Sequence, residues 1–238
     1  MFSFGSDGEE MNTIDVVLVT WPNHPKRLEY LRHTWATLQK NLRASDHTLR
    51  FLCSSESERD QTRPWLGEEL KNFCRANCIP LTWHDGPASL GAGMNAALRV
   101  TTANLIFLVQ DDYELVAPLD LSPGATLLTE HHDVDLVRYS FPVNLGCRFD
   151  GEINGWRKFD LAAPWPYGDE PALRRRDFMD RHGWYTEGIG QAAEGDMLFR
   201  LMANKAVIVA ADKPYFGNFG AVSAVPLDCE TRNREVSR

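Results

Sequence analysis

Asp111 and Asp112 are adjacent, and both follow the apolar run Leu105–Val109 with only Gln110 between. Neighbouring carboxylates repel each other, and each is costly to bury unless a cation or hydrogen bonds compensate. Two acidic side chains at a strand end suit a hard divalent cation, Mn²⁺ or Mg²⁺, that keeps open positions for phosphate oxygens. The bland alternative is an acidic turn whose side chains cap the following backbone. A second acidic set lies in Ala192–Leu201, "AAEGDMLFRL", with Glu194 and Asp196 two apart and Arg200 four beyond Asp196. A helix N-terminus there favours an ionised carboxylate fit to act as a general base. Asp196 and Arg200 pair at helical spacing, and an ordinary acidic first turn accounts for the same residues.

These side chains need a frame. Thr13–Thr20, Thr48–Ser54, Ile79–Asp85 and Asn104–Val109 are short, β-branched or apolar runs, as buried strands are. Between them lie helical patterns. Leu28, Leu31, Trp35, Leu38 and Leu42 recur at steps of three and four, Trp65–Ala76 forms another stretch, and Ser89–Val100 is a glycine-opened helix. The alternation predicts an α/β fold with a mostly parallel central sheet flanked by helices. Ligands of such sheets bind beyond the carboxyl ends of the strands. That edge carries Asp111 and Asp112, together with Thr20 and Ser54. Residues 1–12 read as a flexible N-terminus and 13–238 as a single domain. Its half 13–120 is regular, and its half 121–238 is irregular and rich in Pro, Gly, Trp and Tyr. Asp133–Phe141 is a further candidate strand.

Bulk properties narrow the classes. The chain has 238 residues and a net charge of −8, so no global basic field draws it to nucleic acid. "LRRRDFMDR", Leu173–Arg181, is a local basic patch with four arginines. Five cysteines are scattered without CxxC or zinc spacing, as in a reducing compartment. Cys74 and Cys78 are spaced as core neighbours on one helix. The first residues have neither a basic nor an apolar signal region, and no run is long enough to span a membrane. The expectation is a cytoplasmic protein. The loop His84–Asn95 has three glycines that admit a ligand close to the backbone, but no GK[ST]. His131, His132 and His182 lack metal spacing and read as surface or structural.

Four segments together resemble the GT-A (Rossmann-like) glycosyltransferases, above all the inverting family 2, over roughly residues 13–215. They are "VVLVTWPNHPKRLEYLRHTWATL", "LGAGMNAALRVTTANLIFLVQDD", "AEGDMLFRL" and "ANKAVIVAADKPYF". The resemblance implies a sugar transferred with inversion from a nucleotide-diphosphate donor, a UDP-sugar, to an acceptor hydroxyl. It matches Asp112 to the metal-binding aspartate of the DXD motif and Asp111 to its acidic neighbour near the ribose or metal. It matches Glu194 to the general base, with Asp196 as the competing candidate. Thr20 and Pro22 match the nucleotide-contacting end of the first strand, and Glu56 stands where the family places an acid against the base. Trp184, with Tyr185, is the acceptor-side candidate on the "HGWYTEG" loop. The triplet reads Gln110-Asp111-Asp112, and where relatives carry a late metal-binding histidine the nearest polar residue is Asn218.

The implied acceptor is a hydroxyl on a glycan, lipid-linked precursor, protein or hydroxymethylated DNA base. Net charge opposes the DNA reading, and Arg174–Arg176 with the aromatic cluster favours it. A non-catalytic module that binds nucleotide sugars or glycans is the alternative. A nucleotidyltransferase on a related sheet is a third reading, against which stands the lack of a glycine-rich loop after the first strand.

Overall fold

The computed structural model describes residues 12–56, 64–84, 89–140, 147–164, 166–168, 171–190 and 192–219. The expectation for residues 1–11, the side chain of Glu56 and Trp165 all lie outside this description.

The regular half forms as its periodicities predict. β1 (Thr13–Thr20) leads to α1 (Pro25–Asn41), and a two-residue β2 (Leu42–Arg43) follows. Then come β3 (Thr48–Glu56), α2 (Pro64–Ala76), β4 (Leu81–His84), α3 (Leu90–Arg99) and β5 (Leu105–Gln110). Beyond Asp111 and Asp112 lie β6 (Tyr113–Leu115), β7 (Leu119–Asp120), α4 (Ser122–Glu130) and β8 (Val134–Arg138). The hairpin strands β9 (Phe149–Ile153) and β10 (Trp156–Phe159) precede β11 (Ala172–Arg175), α5 (Phe178–His182), α6 (Ala192–Ala203), β12 (Val207–Ala210) and β13 (Phe216–Asn218).

Nine strands form one sheet in the order β4-β3-β1-β5-β11-β8-β12-β10-β9. β4, β3, β1 and β5 run parallel. β1 is the first strand in the chain, yet it sits between β3 and β5. The chain winds outward on one side and then returns to the other, which opens a crevice at the carboxyl ends of β1 and β5. Alternate residues of these strands face opposite sides, and both sides are covered. Val16, Leu18, Phe107 and Val109 pack in one core with α1, α2 and α4. Val17, Ile106 and Leu108 pack in the other with Met94 and Ala97 of α3 and Met197 and Leu201 of α6. This two-sided burial is why the strands read as continuous apolar runs rather than alternating ones.

The second half is more ordered than its composition predicts. β11 inserts antiparallel between β5 and β8, and the β9–β10 hairpin extends the sheet edge. The arginine run is also not a free basic patch. Arg174 is buried within β11. Arg175 donates to the carbonyls of Leu128 and His132, Arg176 to that of Thr102, and Arg181 pairs with the buried Asp135 at 2.8 Å. Asp135 also accepts from His182 Nε2 and from the Val207 amide, so His182 is structural, as expected. Of the three arginines that favour a DNA acceptor, Arg174 is buried, Arg175 is half-buried and only Arg176 is exposed. Cys78 departs from expectation too: α2 ends at Ala76, and Cys78 is exposed in a left-handed turn with φ 55°.

α3 is buried from Gly91 to Leu98, wedged between the sheet and α6. A Cβ on Gly91 would sit well inside contact distance of the Thr186 carbonyl and 3.4 Å from Ala193 Cβ. The clash is with backbone, so a rotamer change does not relieve it. Gly91→Ala is expected to cost about 1–3 kcal/mol, read as a lower midpoint in chemical denaturation. An unchanged midpoint would show that the Thr186 loop moves freely.

Candidate active site

The carboxyl ends of β1 and β5 bring Thr20 beside the acidic pair. Thr20 Oγ1 donates to Asp111 Oδ2 at 2.6 Å. The Asp111 backbone is fixed as well, with its amide on the Val19 carbonyl and its carbonyl accepting from Thr34 Oγ1 of α1. Pro22 is buried in the turn after β1. Thr20, Asp111, Ser54 and Gln110 line a cleft of about 80 Å³, together with Leu90 and Gly93 of α3. A larger groove of about 380 Å³ lies between Ser45, Ser122, Glu130 and Trp156 and shares no lining residue with that cleft.

A cation that no sequence motif marks also stands at this site. Arg27 Nη1 stands 2.8 Å from Asp111 Oδ1 and 3.5 Å from Asp112 Oδ2. The start of α1 aims it. His24 caps the helix by accepting from the Lys26 amide, and Pro25 sets the first turn. The signal was present as a basic residue one turn into the helix that follows β1, next to an acidic strand end. Its meaning depended on β1 and β5 being neighbours.

The electrostatics follow from burial. Burial, and next the Asp112 charge, push the Asp111 carboxyl up to about 6, against the pull of Arg27 and the Thr20 hydrogen bond. Asp112 is raised by burial and held down in part by Arg27. Arg27 is raised by Asp111 despite its own burial. Because the Asp111 pKa is raised on folding, its stabilising contribution is full below about 4, its range when unfolded. That contribution disappears as pH rises through about 6. The swing is on the order of 3 kcal/mol. In EDTA, wild type is expected to lose stability relative to Asp111→Asn between pH 4 and 7. Parallel denaturation curves across that window would discount the carboxylate as the cause.

The residues fit a divalent cation in part. Asp112 Oδ1 is buried and accepts no hydrogen bond among the described residues. One such carboxylate oxygen plus phosphate oxygens and water is a usual Mg²⁺ or Mn²⁺ set. Asp111 departs from its expected role as a metal neighbour, since Thr20 and Arg27 engage both its oxygens. Asn218 pairs with Tyr113 across β13 and β6, and the next residue, Phe219, donates its amide to the Asp112 carbonyl.

Glu194 and Asp196 both lie in the first turns of α6. Asp196 Oδ2 accepts from Thr186 Oγ1 at 2.7 Å and Arg200 Nη2 at 2.9 Å. Arg200 also holds the His182 and Trp184 carbonyls, so this pair staples the 182–186 loop to α6. Glu194 is half-buried on the turn beside Ala193, which packs at Gly91 near the cleft-lining Leu90. Trp184 is 40% exposed, with the Arg99 guanidinium 4.9 Å from its ring centre. Tyr185 corrects the sequence reading. Its side chain is buried and its hydroxyl bonds that of Tyr167, so its ring is not presented to an acceptor. Its backbone is held on both sides by Asn95 of α3.

No family model and no curated protein matches the sequence. Solved structures do match in fold. S. aureus TarS 1–349 superposes with a TM-score of 0.56 at 17% identity, over 95% of this chain and 64% of that one. Its complex with UDP-GlcNAc gives 0.58 at 16% identity, over 95% and 66%. CMP:2-keto-3-deoxy-manno-octonic acid synthetase complexed with CTP gives 0.56 at 11% identity, over 95% of this chain and 99% of that one. The chain spans about two thirds of the TarS fragment. Among the described residues no helix is long and apolar enough to cross a membrane. The chain has a GT-A-type α/β fold, as the sequence resemblance implied.

Proposed function

We propose that this protein transfers a sugar from a nucleotide-diphosphate donor, a UDP-sugar, to an acceptor hydroxyl with inversion. The observation that carries the proposal is the Asp111–Asp112 pair at the carboxyl end of β5, beside β1, with Asp111 and its partner Arg27 lining the cleft there. The likeness to TarS, solved with UDP and with UDP-GlcNAc, agrees with it. In this reading Thr20 and Pro22 border the nucleoside, and Asp112 holds Mn²⁺ or Mg²⁺ against the diphosphate. A bound divalent cation supplies charge stabilisation to the departing diphosphate. Glu194 takes the proton of the acceptor hydroxyl. The acceptor oxygen then bonds the anomeric carbon from the face opposite the diphosphate. The bond from that carbon to the phosphate oxygen breaks, and its electron pair leaves with the nucleotide. Trp184 offers an aromatic face for the acceptor.

A thermal-shift panel of UDP-, GDP- and TDP-sugars with and without Mn²⁺ tests the donor site, because a ligand that binds only the folded state raises the melting temperature. A Mn²⁺-dependent shift with one nucleotide series is expected. The synthetase likeness covers nearly the whole of that enzyme, so CTP belongs in the panel. A response to CTP alone, with pyrophosphate released, would replace sugar transfer by nucleotidyl transfer. No response to any nucleotide would leave the binding of another ligand as the function.

A further inference from the structure

The acidic pair carries its own cation. Arg27 bridges both carboxylates, and it lines the same cleft as Asp111. Its Nε is buried and bonds no acceptor among the described residues, and its Nη1 meets both aspartates. Both oxygens of Asp111 are satisfied by this arrangement and by Thr20. Among the described residues no three His, Cys, Asp or Glu side chains converge. A hard dication arriving by itself meets one open carboxylate oxygen, on Asp112, and a guanidinium that repels it.

We propose that Arg27 is the resident cation of this cleft, withholding Asp111 from metal and making divalent-ion binding conditional on a diphosphate. The diphosphate contributes the missing oxygen ligands and the negative charge that offsets Arg27. Arg27 is thus a positioning residue that sets the order of loading, with the ion arriving with the nucleotide rather than before it. The significance of that order rests on the donor reading above, whereas the competition between Arg27 and the ion does not.

The test uses Mn²⁺ alone, with free ion followed by its EPR signal. Wild type is titrated beside Arg27→Met, which keeps the aliphatic stem and removes the charge. Wild type is expected to bind Mn²⁺ no tighter than roughly millimolar, as sites with few protein oxygens do. Arg27→Met is expected to bind at least tenfold tighter, and Arg27→Met with Asp111→Asn to return to the weak value. A merely structural role for Arg27 predicts no gain of metal affinity. Low-micromolar binding of Mn²⁺ by wild type overturns the proposal by itself, whether or not the variants fold. A folded Arg27→Met with unchanged Mn²⁺ affinity also overturns it. Repeating the wild-type titration with UDP separates the two readings. UDP is expected to tighten Mn²⁺ binding by wild type; tightening in Arg27→Met with no effect of UDP keeps the withholding of Asp111 but overturns the dependence on a diphosphate and removes the donor assignment.

Discussion

Asp112→Ala is expected to abolish the Mn²⁺-dependent response to the donor while leaving the protein as stable as wild type or more so. The two halves of this result have different causes. Asp112 contributes the one buried carboxylate oxygen of the pair that accepts no hydrogen bond among the described residues. Its removal leaves no carboxylate free for a cation, because Asp111 stays engaged by Thr20 and Arg27. Transfer should fall by roughly three orders of magnitude, the size of effect seen when a main electrostatic contact of a transition state is deleted. Stability should not fall, since burial disfavours the Asp112 charge and its contact with Arg27 is long, at 3.5 Å. Denaturation in EDTA, paired with the thermal-shift panel, reads both quantities. A melting temperature well below wild type would make Asp112 a structural cap, and the loss of donor response would then carry no meaning for the site.

Glu194→Ala is expected to separate binding from chemistry in the opposite sense. Donor binding should match wild type, and transfer should drop by about 10² to 10⁴, the range for loss of a general base. Asp196 gives the control. Its carboxylate accepts from Thr186 and Arg200, and Arg200 holds the backbone carbonyls of His182 and Trp184. Asp196→Ala should therefore cost about 1 kcal/mol of stability and loosen the loop that carries Trp184. Its activity loss should shrink when acceptor concentration is raised, as expected for disturbed acceptor binding. If Asp196→Ala stops transfer at saturating acceptor and Glu194→Ala does not, the two residues exchange roles.

The elements that set the site were legible because they are local. Val16–Val19 and Leu105–Val109 are apolar without interruption, and that pattern follows from a strand covered on both faces. The spacing from Leu28 to Leu38 follows from one buried helical stripe. The position of Asp111 and Asp112 at a strand end is likewise a statement about neighbours in sequence. What escaped depends on contacts between distant segments. Arg174 reads as one charge in a basic run until β11 enters the sheet between β5 and β8 and buries it. Tyr185 and Trp184 are adjacent in sequence, and only the packing of Tyr185 against Tyr167 and Asn95 makes one core and the other surface. An α/β chain with an acidic pair at the end of a buried strand can be read from the residues in order, because strand and helix periodicities are written locally. Tertiary structure alone decided that Arg27, 84 residues before Asp111, stands between the two carboxylates, because that contact exists only once β1 and β5 lie side by side.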